Sequence, residues 1–168
     1  MRKYILLIIV SFILNMETVQ NLDIEKFMGK WNVISTIPNF FEKGCYNSYD
    51  LYSLNEDGSI SIEYHAFKNN KKVLYKQQAQ IIDTLHKSKW KIRLTKPWIP
   101  FFRAPYQVIV IDSLDYNYMV VGYSDKSLGW IMSRDREMSE GLYAQILGEL
   151  VKKFDYNKDS FEKVIQHK

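Results

Sequence analysis

Phe27-Met28-Gly29-Lys30-Trp31, near the start of the chain, and Gly129-Trp130-Ile131-Met132-Ser133-Arg134, near its end, decide how this 168-residue sequence is read. Both are short, apolar, strand-like runs, and about six more runs of alternating pattern lie between them. The first and last strands of one sheet therefore carry the marked residues. Their chemistry fits a pair: a guanidinium is planar, permanently charged and weakly hydrated, so it can stack on an indole face while its N–H groups reach nearby carbonyls. Gly29 lets the chain turn closely before the first of these strands.

Working outward, Asp23 to Met28 predicts a short helical turn that plugs a barrel floor, followed by a strand over Trp31 to Ser35. Pro38-Asn39 ends that strand, and Asn39 to Gly44 makes a long first loop. Tyr46 to Leu54 is the next strand, Asn55-Glu56-Asp57-Gly58 a hairpin turn, and Ser59 to Tyr64 alternates strictly. Asn69 to Lys72 turns the chain into Val73 to Ile82, and Trp90 to Leu94 alternates again. Pro97 to Pro105 combines three prolines with three aromatics, which rules out a paired central strand and predicts a loop at a barrel end. Tyr106 to Asp112, Tyr118 to Tyr123 and Leu128 to Arg134 complete eight strands. Ser139 caps a helix running to about Phe154, with Leu142, Ile146, Leu150 and Val151 as its apolar stripe, and Ser160 to Ile165 reads as a further strand. Hairpin follows hairpin without crossover helices, so the fold class is all-β: an eight-stranded antiparallel up-and-down barrel with a C-terminal α-helix packed outside.

The set of motifs resembles the lipocalin family. Besides Gly29-Lys30-Trp31, it consists of Asp112, the turn Asp115-Tyr116-Asn117-Tyr118, Ser124-Asp125 and Trp130 to Arg134. Their order and spacing are most similar to the branch of bacterial outer-membrane lipocalins and apolipoprotein D. The resemblance covers Leu22 to about Val164. It implies that Gly29, Trp31 and Arg134 close one end of the barrel, the arginine lying over the indole. It also implies a carrier of small hydrophobic molecules, in this branch fatty acids, lysophospholipids and other membrane-derived lipids.

Composition is consistent with one sheet-rich domain: 46% of residues are hydrophobic, with 12 Tyr, 9 Phe and 4 Trp but only 4 Pro. The formal charge is +4, two of the cations being Arg2 and Lys3, and Lys71-Lys72 and Lys152-Lys153 read as solvated faces, so nucleic acid is not an expected partner. Arg2-Lys3 followed by the apolar run Tyr4 to Leu14 predicts a signal peptide over residues 1–20, with the barrel domain over 21–168 and a secreted or periplasmic location. Asn15 to Gln20 holds no small-X-small cleavage pair, which leaves an uncleaved anchor open. No cysteine follows the run, so tethering through a lipidated cysteine is not expected. Cys45 is the single cysteine, which excludes an intrachain disulfide.

No catalytic residues and no metal or cofactor site are expected. His65, His86 and His167 lie far apart, and no glycine-rich phosphate loop is present. An eight-stranded barrel can hold one small ligand. Alternation phased from inward-pointing Trp31 and Arg134 puts Val33, Ser35, Leu128, Trp130 and Met132 inside; counting back from Gly122 in the family's phase adds Tyr118 and Val120. These seven are the candidate ligand-binding residues. Phe40-Phe41 and Trp98 to Phe102 either flank the mouth, where they can touch a bilayer, or fold back over the barrel. Two other readings stay open: a lipid-modifying enzyme using the Cys45 thiol, and a protein-binding barrel with a filled core.

Overall fold

The computed structural model describes residues 16–167, so the apolar run Tyr4 to Leu14 lies outside the described residues. A four-residue helix α1 (Ile24–Phe27), N-capped by Asp23, leads into β1 (Gly29–Thr36). Seven strands follow: β2 (Tyr46–Leu54), β3 (Ile60–Lys68), β4 (Lys71–Ile81), β5 (Lys89–Lys96), β6 (Ala104–Ile111), β7 (Tyr118–Gly122) and β8 (Gly129–Ser133). Each pairs antiparallel with the next, and β1 pairs with both β2 and β8, which closes an eight-stranded barrel. Helix α2 (Glu140–Phe154) lies outside, and β9 (Glu162–Lys163) adds two residues beside β1. Only the start of β6 enters the proline-rich stretch, where Ala104 and Pro105 pair with Ile92 and Lys91.

Two buried layers divide the apolar residues. The barrel interior holds Phe27, Trp31, Val33, Tyr52, Ile60, Ile62, Trp90, Tyr106, Val108, Met119, Val121 and Met132. The space between barrel wall and α2 holds Ile34, Ile109, Val110, Val120 and Ile131, against Tyr143, Ile146, Leu150 and Phe154 of the helix. The helix stripe is thus Tyr143, Ile146, Leu150 and Phe154; Val151 is exposed and Leu142 only partly buried, since they fall to the sides of that stripe. Met16 also packs into the outer layer, and the Val19 amide donates to the Val108 carbonyl, so residues assigned above to the leader lie against the barrel.

Bulges break strict alternation, and one of them redirects a candidate residue. In β1, Val33 pairs with Met132 but Ser35 pairs with Ile131, leaving Ile34 as the extra residue. Parity inverts there. Ser35 consequently turns out of the barrel, where its hydroxyl accepts from Tyr143 Oη at 2.9 Å and donates to the Glu162 carbonyl at 2.9 Å.

Tyr118 and Val120 are also on the outer side, packed in the layer beneath α2. The phase assigned from Gly122 is inverted because Gly122 itself faces outward: a Cβ there would lie 2.6 Å from Tyr156 Oη and 2.8 Å from Ile109 Cδ1. Glycine is needed so that the Tyr156 hydroxyl can approach the wall, accept from the Tyr123 amide at 2.9 Å and donate to the Leu128 carbonyl at 3.0 Å.

Candidate ligand-binding cavity

One end of the barrel is packed shut. The Trp31 indole donates to the Phe27 carbonyl at 2.8 Å, and Arg134 Cζ lies 3.7 Å from the centroid of the Trp31 ring. The same guanidinium donates to the carbonyls of Tyr116, Lys30 and Lys26, at 3.3, 2.9 and 2.6 Å. Gly29 is required by its backbone, at φ +95°, and a Cβ there would only come into ordinary contact with Arg134 Nη1, at 3.4 Å. Above this seal Phe27, Tyr52, Trp90 and Tyr106 form an aromatic floor, with the Trp90 and Tyr106 rings stacked at 4.8 Å.

Beyond the floor lies a cavity of about 260 Å³. This is close to the lower end of the ~300–1,000 Å³ range of small-molecule sites. Ile62, Ile92, Leu94, Val121, Leu128 and Met132 supply its aliphatic walls, and Tyr64, Tyr75, Phe102, Tyr123 and Trp130 its aromatic ones. Of the residues proposed from sequence, Leu128, Trp130 and Met132 line this space. Val33 points into the barrel but is packed in the core below, and Ser35, Tyr118 and Val120 lie outside the wall.

The first loop folds across the mouth. Asn39 Oδ1 accepts from the amides of Phe41 and Glu42, which tightens the turn and brings the Phe41 ring edge-on to Tyr75 at 5.8 Å. Glu42 Oε2 accepts from Trp130 Nε1 at 2.9 Å, tying the loop to β8. Phe41 and Phe102 thus fold over the cavity, Phe40 borders it while largely exposed, and Trp98 and Phe101 remain exposed away from it.

The polar groups in the cavity are acidic. No lysine, arginine or histidine is among the described residues lining it, but Glu42 and Asp50 are. Asp50 stands opposite Trp31 in the β1–β2 ladder and shares the inward face with Tyr52. Its Oδ2 accepts from Tyr52 Oη at 3.0 Å, and the Tyr52 and Tyr106 hydroxyls are 2.6 Å apart. Asp50 Oδ1 is buried without a hydrogen-bond partner among the described residues, as is Asn39 Nδ2. Burial, reinforced by the nearby Glu42 charge, pushes Asp50 up to about 8, with the Tyr52 bond opposing the rise. Burial likewise raises Glu42, against the bond from Trp130.

Sequence reasoning missed this acidic pair. An aspartate on the parity of Tyr52 inside an alternating strand is the signal that marks Asp50; Glu42 carries none, because its position depends on how the loop folds back. Asp50 has a folded-state value above its unfolded one, so it weakens the fold as pH rises from about 4 to about 8. Asp50→Asn is expected to remove that slope, matching the wild type at pH 4 and exceeding it by about 2–4 kcal/mol at pH 8.5. Urea unfolding at the two pH values measures it, and equal stability at pH 8.5 would show that Asp50 is not a buried ionisable burden.

Cys45 does not line the cavity; its Sγ lies 4.0 Å from the Phe41 carbonyl, and the thiol is half-buried. Among the described residues, no three metal-ligating side chains come together.

Comparison with known proteins agrees with this architecture. A family model for the lipocalin-like domain matches residues 22–166. The chain is similar to temperature-induced lipocalin-1 of Arabidopsis thaliana, with 30% identity over 85% of this chain and 80% of that protein. It is also similar to the outer membrane lipoprotein Blc of Citrobacter freundii, with 26% identity over 83% and 78%. Among solved structures, insecticyanin from the tobacco hornworm Manduca sexta superposes with a TM-score of 0.68 at 16% identity, covering 89% of this chain and 84% of that one. The closed barrel, its external helix, the arginine-on-tryptophan seal and the match across nearly the whole described chain together place this protein in the lipocalin family.

Proposed function

We propose that this protein is an extracytoplasmic carrier that takes up one single-chain lipid, of the fatty acid or lysophospholipid kind, by reversible burial in the barrel. Lipocalins generally bind and transport small hydrophobic ligands. The observation that carries the reading is the apolar cavity of about 260 Å³ between an aromatic floor and a folded-over loop. An unfilled interior favours ligand storage over a barrel that serves only as a protein-binding scaffold, and Cys45, off the cavity wall, favours carriage over thiol chemistry on the ligand. Burying eight to ten methylenes gains a gross ~6–8 kcal/mol, which sets a micromolar ceiling on affinity before association entropy is subtracted. The basic pair and apolar run at the start of the sequence support export, and a relative named as an outer membrane lipoprotein is in keeping with that. Phe40, Trp98 and Phe101, exposed at 88, 74 and 96% on loops at the open end, support contact with a lipid surface during loading.

Trp130 is the optical reporter, since Trp31 and Trp90 are fully buried at the closed end and Trp98 is exposed. Titration with ten-carbon lipids is expected to change tryptophan emission saturably, and Trp130→Phe to remove most of the change while native mass spectrometry still finds one bound molecule. Absence of a saturable complex by both methods, at every chain length from eight to sixteen carbons, refutes the carrier reading.

A further inference from the structure

We infer that the ligand is an alkylammonium: an apolar chain whose protonated amine seats beside Asp50, with Glu42 supplying a second negative charge from the loop over the mouth. The inference rests on the carrier reading and narrows it: of the single-chain lipids it keeps those whose head group carries an ammonium and sets aside the free fatty acid. Three features of the cavity converge on it. Its acidic side chains are two carboxyls, Glu42 and Asp50, and no lysine, arginine or histidine is among the described residues lining it. Asp50 is one of the residues lining the space, and its Oδ1 is buried with no donor among the described residues, whereas Oδ2 is already held by Tyr52. An ammonium brings three N–H donors and a positive charge in one small group, and so meets an unpartnered carboxylate oxygen better than a neutral hydroxyl. Finally, the lining is rich in aromatic rings, Tyr52, Tyr64, Tyr106 and Trp130 among them, and an aromatic ring attracts a cation placed over its face.

A fatty acid entering head-first meets the opposite situation. Its carboxylate would be a third acid in an apolar space that already holds Glu42 and Asp50, and like charges in one site disfavour ionisation of each. Burial, and after it the Glu42 charge, already hold Asp50 above the usual carboxylate range. A bound ammonium reverses the balance by favouring the charged form of the acid. Placement also matters: Asp50 stands level with Trp31 near the aromatic floor, so the head group goes deep and the chain points towards the mouth, where Leu128, Phe41 and Phe102 are apolar.

The test compares decylamine, decanol and decanoate by isothermal titration calorimetry at pH 7.5 on the full chain and on Glu42→Gln, Asp50→Asn and the double variant. Wild type is expected to bind decylamine at least tenfold tighter than decanol, and decanoate more weakly than decanol. Asp50→Asn is expected to cost decylamine at least tenfold more than it costs decanol and to strengthen decanoate; an unchanged far-UV circular dichroism spectrum certifies that the variant is folded. A decanoyl lysophosphatidylethanolamine arm separates a free amine from the ammonium of a zwitterionic head group, either of which supports the inference when its binding falls tenfold in the double variant. Decanoate binding as tight as decylamine in the wild type, or a decylamine preference that survives the double variant, overturns it while decanol binding leaves the carrier reading standing. If none of these ligands forms a saturable complex, the carrier reading itself is wrong and the inference falls with it.

Discussion

Val120→Glu is expected to destabilise the protein by about 3–4 kcal/mol, whereas Val121→Glu, one residue on, is expected to cost about half as much and to weaken binding of a neutral ten-carbon chain at least tenfold. The difference lies in which side of β7 each residue faces. Val120 is fully buried in the apolar layer that also holds Ile131, Ile146 and Leu150 under α2, where a carboxylate loses its water and its extra atoms crowd a packed core. Val121 lines the cavity, where a longer side chain has open space but stands in the path of the ligand. Guanidinium unfolding and decanol titration on the two variants read the two effects independently. The assignment of faces is wrong if Val120→Glu folds normally and loses the ligand.

Arg134→Ala is expected to lower stability by about 2–3 kcal/mol, and Arg134→Lys to recover less than half of the loss. The side chain stacks on Trp31 and forks into the carbonyls of Lys26, Lys30 and Tyr116. A lysine keeps the charge but has neither the plane nor the fork. The carbonyls at the rim are reached by water once the arginine is gone and the Phe27 carbonyl keeps its bond from the Trp31 indole, so most of the cost falls on the indole face left without its cover. Chemical denaturation of the three proteins measures the ladder; a fully stable Arg134→Ala would mean that the packed floor closes the barrel without the arginine.

Most of the architecture is legible in the sequence because its signals are local. Asp23 and Ser139 each cap the helix that follows, accepting from the amides of Lys26 and Leu142, and the hairpin at Asn55 to Gly58 turns where its glycine allows. Ile60, Ile62, Tyr64 and Ala66 alternate as a half-buried strand must. The cavity is less legible because its lining depends on phase, and phase is reset by bulges that leave no mark in composition. Ile34 in β1 inverts the parity of Ser35, and Ile109 and Val110 both face the helix after the break in β6. Gly122 misleads for a related reason: its small size serves the Tyr156 hydroxyl outside the wall, a contact between residues 34 apart that no periodicity contains. Glu42 is invisible for want of any pattern in a loop, although its bond to Trp130 spans 88 residues.

The seal at the closed end also fixes an order of assembly. Strands β2 to β8 can pair as successive hairpins, each with a short loop to close, but the β1–β8 ladder joins Asn32 to Ser133, and Arg134 grips carbonyls more than 100 residues upstream. Joining such distant segments carries the largest loop-closure cost in the chain, so it comes after the local ladders, and no disulfide holds the ends near each other beforehand. The arginine therefore acts as a latch rather than a nucleus. Its stabilisation is felt in how slowly the finished barrel opens, and in stopped-flow traces the Arg134→Ala penalty belongs to the unfolding limb, with refolding nearly unchanged.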